Sequence, residues 1–182
     1  TKPTRVYTVK DGMTANSVFR LFEDARGDIW FSTVDNLHAV HRWDRATDRI
    51  HIYTPQESDM PIGAATAFAN DEGGNLWMGF YTGGLCRYAN GRFTQFTEKD
   101  GVPSGFVRDL FIDSKKRLWI AANGGLSRVD QPLADRPQFV NYTAKAGLAS
   151  DQVTTVTEDR WGQIYVGTGR GLDRLDPDSG KI

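Results

Sequence analysis

Four short apolar runs punctuate this chain of 182 residues: "SVFRLFE", "AATAFAN", "FVRDLFI" and "QVTTVTE". Each leads into a variant of one outline, written "DARGDIW" at 24–30, "DEGGNLW" at 71–77, "DSKKRLW" at 113–119 and "DRWGQIY" at 159–165. The closing aromatics Trp30, Trp77, Trp119 and Tyr165 stand 47, 42 and 46 residues apart. No repeat sustains an apolar period of 3.6, so the runs read as strands and the chain as all-β. A period in the forties is that of a four-stranded blade, longer than leucine-rich or tetratricopeptide repeats.

The columns of the repeat sharpen that reading. Six residues before each outline's Asp stand Val18, Ala65, Val107 and Val153, and three before it stand Leu21, Phe68, Leu110 and Val156. An odd spacing of three predicts opposite faces of a strand, both covered. The outline itself predicts a tight hairpin, with the Asp side chain bonded to the turn backbone and Gly27, Gly74 or Gly162 supplying a positive φ. Lys116 stands where the other repeats have Gly, which predicts a strained or differently shaped turn. Beyond the aromatic come "FST", "MGF", "IAA" and "VGT", then a loop, then "VHR", "LCR", "LSR" and "LDR". A last strand follows in "IHIYT", "FTQFT" and "FVNYT", and the Asn-Gly of "ANGR" suits a type I′ turn. Strands a to d therefore make each antiparallel blade, and Trp30, Trp77 and Trp119 are expected in the core.

The predicted architecture is a β-propeller segment of four repeats, about 9–54, 55–97, 98–143 and 144–182. Residues 4–8, "TRVYT", have the sequence of a displaced fourth strand, while the last repeat lacks its own. The segment is expected to be part of a larger propeller, so its end faces would need other blades or a second chain to cover them.

Composition removes several functions. With 22 basic and 23 acidic residues interspersed, a nucleic-acid-binding face is not expected. No apolar run is long enough for a membrane span, no signal peptide is present in this chain, and membrane contact by this segment is not expected. The single cysteine, Cys86, reads as a buried thiol. His38 and His41 lie close together with Asp35 and Asp44 nearby, but no third ligand stands at metal spacing, so they read as solvated loop imidazoles. "DPDSG" at 176–180 begins like a calcium loop but reads as a turn. "TGGL" and "NGGL" precede no helix and read as hairpin loops, not phosphate cradles. No metal or cofactor is expected.

The candidate ligand surface follows from the repeat. Arg20, Arg108 and Asp109 interrupt innermost strands and are expected at the central channel, paired or wet. Asn16, Ser104 and Gln152 fall in the d–a connections, while Phe80, Tyr81, Asn123 and Arg170 fall in the b–c loops of the same face. The longer b–c loop "VDNLHA" of repeat one is expected to protrude there. Aromatics beside amides and a guanidinium suit an oligosaccharide or other small molecule, and equally a protein interface.

With D-x-x-G-x-L-W at Asp24 to Trp30, Gly167-Thr168, G-L-x-R-x-D from Gly171 to Asp176, F-x-x-Y-T from Phe139 to Thr143, and Asp11-Gly12-Met13, the chain resembles the two-component regulator propeller repeats. The resemblance spans nearly the whole chain. It implies a β-propeller in the periplasmic sensor portion of a bacterial histidine kinase or related signalling protein, with ligand sensing, carbohydrate among the ligands, and no fixed catalytic set. The expected function is therefore noncatalytic. Protein-interaction scaffold is the alternative, and a propeller lyase or hydrolase, which would need convergent His, Glu or paired carboxylates, ranks last.

Overall fold

The computed structural model describes residues 5–182. Fifteen strands form four antiparallel meanders. Blade one is β1 (Val18–Glu23), β2 (Ile29–Thr33), β3 (Val40–Asp44) and β4 (Arg49–Tyr53). Blade two is β5 (Ala65–Asn70), β6 (Leu76–Phe80), β7 (Leu85–Ala89) and β8 (Arg92–Phe96). Blade three is β9 (Val107–Ile112), β10 (Leu118–Ala122), β11 (Gly125–Val129) and β12 (Phe139–Tyr142), and blade four is β13 (Val153–Glu158), β14 (Ile164–Thr168) and β15 (Gly171–Leu175). The first strands β1, β5, β9 and β13 pack side by side in that order, as the innermost strands of propeller blades do. Among the described residues no helix is long and apolar enough to cross a membrane.

Each hairpin between the first two strands is built as its sequence predicts. Asp24 Oδ1 accepts the main-chain N–H groups of Arg26 and Asp28, Asp71 those of Gly73 and Asn75, and Asp113 those of Lys115 and Arg117. The second carboxylate oxygen does what the sequence did not announce: it accepts the indole N–H of Trp30 at 2.7 Å, Trp77 at 3.0 Å and Trp119 at 2.8 Å. All three indoles are fully buried. Lys116 adopts φ 66°, beside 85°, 73° and 85° at Gly27, Gly74 and Gly162, so this turn keeps the shared shape at the cost of a left-handed lysine. Asn90 and Gly91, at φ 51° and 79°, make the type I′ turn of blade two.

The expectation that the two apolar columns face opposite ways is overturned by a β-bulge. Pairing of β1 with β2 skips Phe19, that of β5 with β6 skips Thr66, that of β9 with β10 skips Arg108, and that of β13 with β14 skips Thr154. One bulged residue turns the odd spacing into an even one, so both columns lie on the face toward the preceding blade. Val107 and Leu110 share a cluster with Trp77, Val153 and Val156 with Trp119, and Ala65 and Phe68 with Trp30.

Each seam has a second rule: the residue two past the tryptophan must be small. A Cβ on Gly79 would lie 2.3 Å from Val107 Cγ1. Ala121 meets Val153 in one cluster, and Ser32 donates through Oγ to the carbonyl of Ala65 at 2.7 Å.

Three 3-10 turns, Val9–Asp11, Glu98–Asp100 and Ala144–Ala146, lead into the next blade and end on left-handed Gly12, Gly101 and Gly147. The "DG" pieces of the sequence belong to these turns. The displaced fourth strand does not form: Thr4 lies outside the described residues, residues 5–8 adopt no strand, and the last sheet keeps three strands. Instead Arg5 and Tyr7 bond Asp48 of blade one, and the Tyr7 ring lies 5.8 Å from Trp43. That local partner supplies an ion pair to Arg5.

Two substitutions test this frame. Trp77→Ala removes a buried indole and orphans Asp71, and chemical denaturation is expected to show a loss of about 3–5 kcal/mol. Lys116→Gly relieves the left-handed backbone and is expected to raise stability by about 0.5–1 kcal/mol in the same assay.

Candidate functional site

One end of every blade is closed by the same main-chain bond. Val34 N–H donates to Ser17 O at 3.0 Å, Tyr81 to Ala64 at 3.0 Å, Asn123 to Phe106 at 3.1 Å and Gly169 to Gln152 at 2.9 Å. The b–c loops and the connections into the first strands are thereby gathered on a single face, including the longer loop of blade one, whose Val34 and Leu37 are exposed. Glycine allows the loops of blades two and three to meet. A Cβ on Gly124 would lie 2.2 Å from Ser104 Oγ, and one on Gly83 3.0 Å from Gly105 O.

At this seam three of the predicted residues come together around a fourth. The Tyr81 and Phe106 rings are 4.8 Å apart, the Arg108 guanidinium lies 4.5 Å over Phe106, and Arg108 Nε donates to Asn123 Oδ1 at 2.9 Å. Tyr81 is 60% exposed and Arg108 is exposed as well. Arg108 is the bulged residue of its strand, the Phe106 ring packs against its guanidinium, and Asn123 accepts from its Nε. Phe106 was missed by sequence reasoning, although a signal existed: Ser17, Ala64, Phe106 and Gln152 share one column, and only one of them is aromatic.

The remaining candidates disperse. Phe80 is a correction: it ends β6, is fully buried with Trp30 and Met78, and belongs to the core. Asp109 is another, because its Oδ2 is taken up by Thr155 Oγ1 at 2.7 Å and Val156 N–H at 3.1 Å, bridging blades three and four instead of standing free for a ligand. Arg20, in the equivalent position of β1, is exposed and lies apart from the cluster. Asn16 Oδ1 accepts Val9 N–H at 3.0 Å and so anchors the first 3-10 turn. Gln152 and Arg170 line a separate shallow cleft on blade four with Ala144, Ser150, Asp151 and Gly169. "DPDSG" forms a turn in which Asp176 Oδ1 accepts the N–H groups of Asp178 and Ser179.

Residues 12–35 and 101–124 match the family model described as two component regulator propeller. These two stretches are similar to two component regulator propeller repeats. Each matched stretch begins at a left-handed glycine and runs just past the second strand of its blade. Curated protein sequences give no match. Among solved structures, the extracellular domain of the hybrid two component system BT3049 from B. thetaiotaomicron is 22% identical over 89% of this chain and 28% of its own, with a TM-score of 0.57. The extracellular domain of BT4673 from the same organism is 17% identical over 93% of this chain and 24% of its own, at TM-score 0.69. Virginiamycin B lyase from Staphylococcus aureus is also 17% identical, over 93% of this chain and 55% of its own, at TM-score 0.71. At such identities the likeness is one of fold, and this chain spans between a quarter and about half of these proteins.

A buried imidazole lies at the base of the longer loop of blade one. His41, expected as a solvated imidazole, is fully buried and stacked 4.7 Å from Phe31. Its Nε2 accepts the main-chain N–H of Thr14 at 3.1 Å, so the ring is neutral with its proton on Nδ1. Thr14 Oγ1 lies 3.0 Å from the same nitrogen and also bonds Asp35, which Thr33 Oγ1 reaches at 2.7 Å. Burial pushes the Asp35 carboxyl up, but hydrogen bonds from Thr14, Thr33 and the N–H groups of Leu37 and His38 outweigh it and hold it below the usual range. Burial lowers the His41 value against the opposing pull of Asp35. The described residues hold no cluster of three or more His, Cys, Asp or Glu side chains able to bind a metal. Cys86 is buried, and burial pushes its thiol up to about 12, which keeps it protonated.

A histidine depressed in the folded state binds its proton more readily when unfolded, so its contribution is present above the unfolded value and is lost as pH falls through the folded one. Melting temperatures are expected to decline below about pH 6.5. His41→Gln, which cannot take up that proton, is expected to remove this part of the decline in the same measurement.

Proposed function

We propose that this chain is a noncatalytic ligand-sensing propeller segment of a bacterial two component signalling protein, with ligand engaged at Tyr81, Phe106, Arg108 and Asn123. One observation carries the proposal: an exposed tyrosine packed on a half-buried phenylalanine, with a guanidinium over the second ring, on the face where the loops converge. Such a patch offers an apolar face for stacking and donors for hydroxyl or acidic oxygens, chemistry suited to an oligosaccharide. Asp109, the carboxylate on the neighbouring strand position, is turned into the next blade, so the cluster supplies contacts and no proton transfer. Location outside the cytoplasm, in the periplasm, accords with the extracellular domains among the structural neighbours.

A thermal-shift screen against oligosaccharides tests this reading. A ligand at 100 times its dissociation constant adds about 2.7 kcal/mol to stability. Arg108→Ala and Tyr81→Ala alter exposed side chains, so each is expected to keep the ligand-free melting temperature while losing the shift. A shift that survives both substitutions would place binding elsewhere, and a screen without any shift would favour a protein-interaction scaffold.

A further inference from the structure

Three arginines inside the arc have the outer ends of their side chains occupied. Arg87 Nη1 donates to Pro132 O at 2.9 Å and Ala134 O at 2.8 Å, Arg128 Nη1 donates to Pro177 O, and Arg117 pairs with Asp113 at 2.6 Å and with Asp178 at 3.2 Å. Arg108 is held as firmly but not occupied. Its Nε donates to Asn123 Oδ1 at 2.9 Å and its guanidinium carbon lies 4.5 Å over Phe106, yet among the described residues neither Nη makes a hydrogen bond and no carboxylate pairs with it. Asp109, next in the chain, has its Oδ2 taken up by Thr155 and Val156.

The fold does not require a charge there. At the same bulge Thr66 and Thr154 return their hydroxyls to Gly79 O and Gly167 O, within their own sheets. The cluster around Arg108 is also short of acceptors. Asn123 Oδ1 is engaged by the arginine, the Phe106 carbonyl is engaged by Asn123 N–H at 3.1 Å, and the Asn123 side-chain nitrogen makes no hydrogen bond among the described residues. What remains open on these exposed side chains is mostly donors and one positive charge. A sugar hydroxyl is donor and acceptor at once and gains little on such a surface over water. An oxyanion brings acceptors alone and balances the charge.

We infer, resting on the reading of this cluster as a ligand site, that its ligand is an acidic oligosaccharide whose uronic carboxylate is received by the free Nη edge of Arg108 while a sugar face packs on Tyr81. A planar guanidinium edge matches the two coplanar oxygens of a carboxylate. Because the ring and the amide already fix that edge, pairing immobilises little that was free before. Asn123 is a positioning residue that acts through its hold on Nε.

Calorimetric titration with paired oligosaccharides of the gluco, galacto and manno series, alike except that one of each pair bears a carboxylate where the other has a hydroxymethyl group, tests the inference. At least one acid is expected to bind about tenfold or more tightly than its neutral counterpart. Arg108→Gln keeps a donor and removes the charge, and is expected to bring the acid to the level of the counterpart with an unchanged ligand-free melting temperature. Asn123→Ala is expected to reduce the ratio between the two while leaving the neutral affinity as it was. Should Arg108→Gln fail to fold, salt answers on the wild-type chain: raising the ionic strength from about 0.01 to about 0.1 M shortens the screening length from about 30 to about 10 Å and is expected to weaken the acid alone. Equal binding within every pair, tighter binding of the neutral member, or an acid preference indifferent to both Arg108→Gln and salt would overturn the inference; loss of both members in Tyr81→Ala would then still support the site. Absence of binding by every pair, or binding indifferent to Tyr81→Ala, would remove the site and the inference together.

Discussion

The hydrogen bond from a buried indole N–H to the aspartate that closes the preceding hairpin is the constraint on which this arc depends. Asp71 and Asp113 are themselves buried, and a carboxylate taken out of water is tolerated only when its lone pairs are filled. Two turn N–H groups fill one oxygen and the indole fills the other, so the turn and the core are fixed by the same side chain. The indole in turn forms a floor for an arginine, 5.5 Å from Trp77 for Arg87 and 5.7 Å from Trp119 for Arg128, whose far end bonds the next blade. Turn, core and neighbour are thus linked through one cassette of Asp, aromatic and Arg. Blade four places Tyr165 where the others have tryptophan, and Asp159 Oδ1 still accepts the turn N–H groups of Trp161 and Gln163.

Most of the fold was legible because its determinants are local. A left-handed turn residue, a small residue at a fixed offset and an alternating strand each leave a mark in one column, and four copies made the columns visible. The bulge was not legible. Phe19, Thr66, Arg108 and Thr154 share no chemistry, so nothing in that column signals an extra residue, and the spacing of three was read as two faces when the backbone makes it one. Residues 5–8 misled for the opposite reason: their β-prone sequence fits a strand, but Asp48 offers Arg5 and Tyr7 a partner nearer in space.

The candidate site was only half legible, since its geometry is made by seams and not by blades. Tyr81 comes from blade two and Arg108 and Asn123 from blade three, and the ring that joins them, Phe106, stands outside any strand. A charge in an inner strand is ambiguous from sequence alone. Arg108 and Asp109 are neighbours, yet the bulged backbone turns the first to solvent and sends the second across to Thr155. One backbone irregularity therefore separates a candidate ligand contact from an interblade clamp.

The same irregularity carries different chemistry in each blade. The geometry of each seam rests on residues that face sideways, into neighbouring blades, whereas the bulged position takes different partners in different blades. Thr66 uses the bulged place for hydrogen bonds to Gly79 O and to Val107 O, and Thr154 for one to Gly167 O, while Arg108 uses it to reach Asn123 and Phe106. The longer loop of blade one spends its extra residues on Asp35, which ties Thr14 and Thr33 together over the buried His41. A repeat whose cohesion lies in its flanks can thus change its rim blade by blade, and a recognition surface assembled from several rims inherits that freedom without loosening the sheets beneath it.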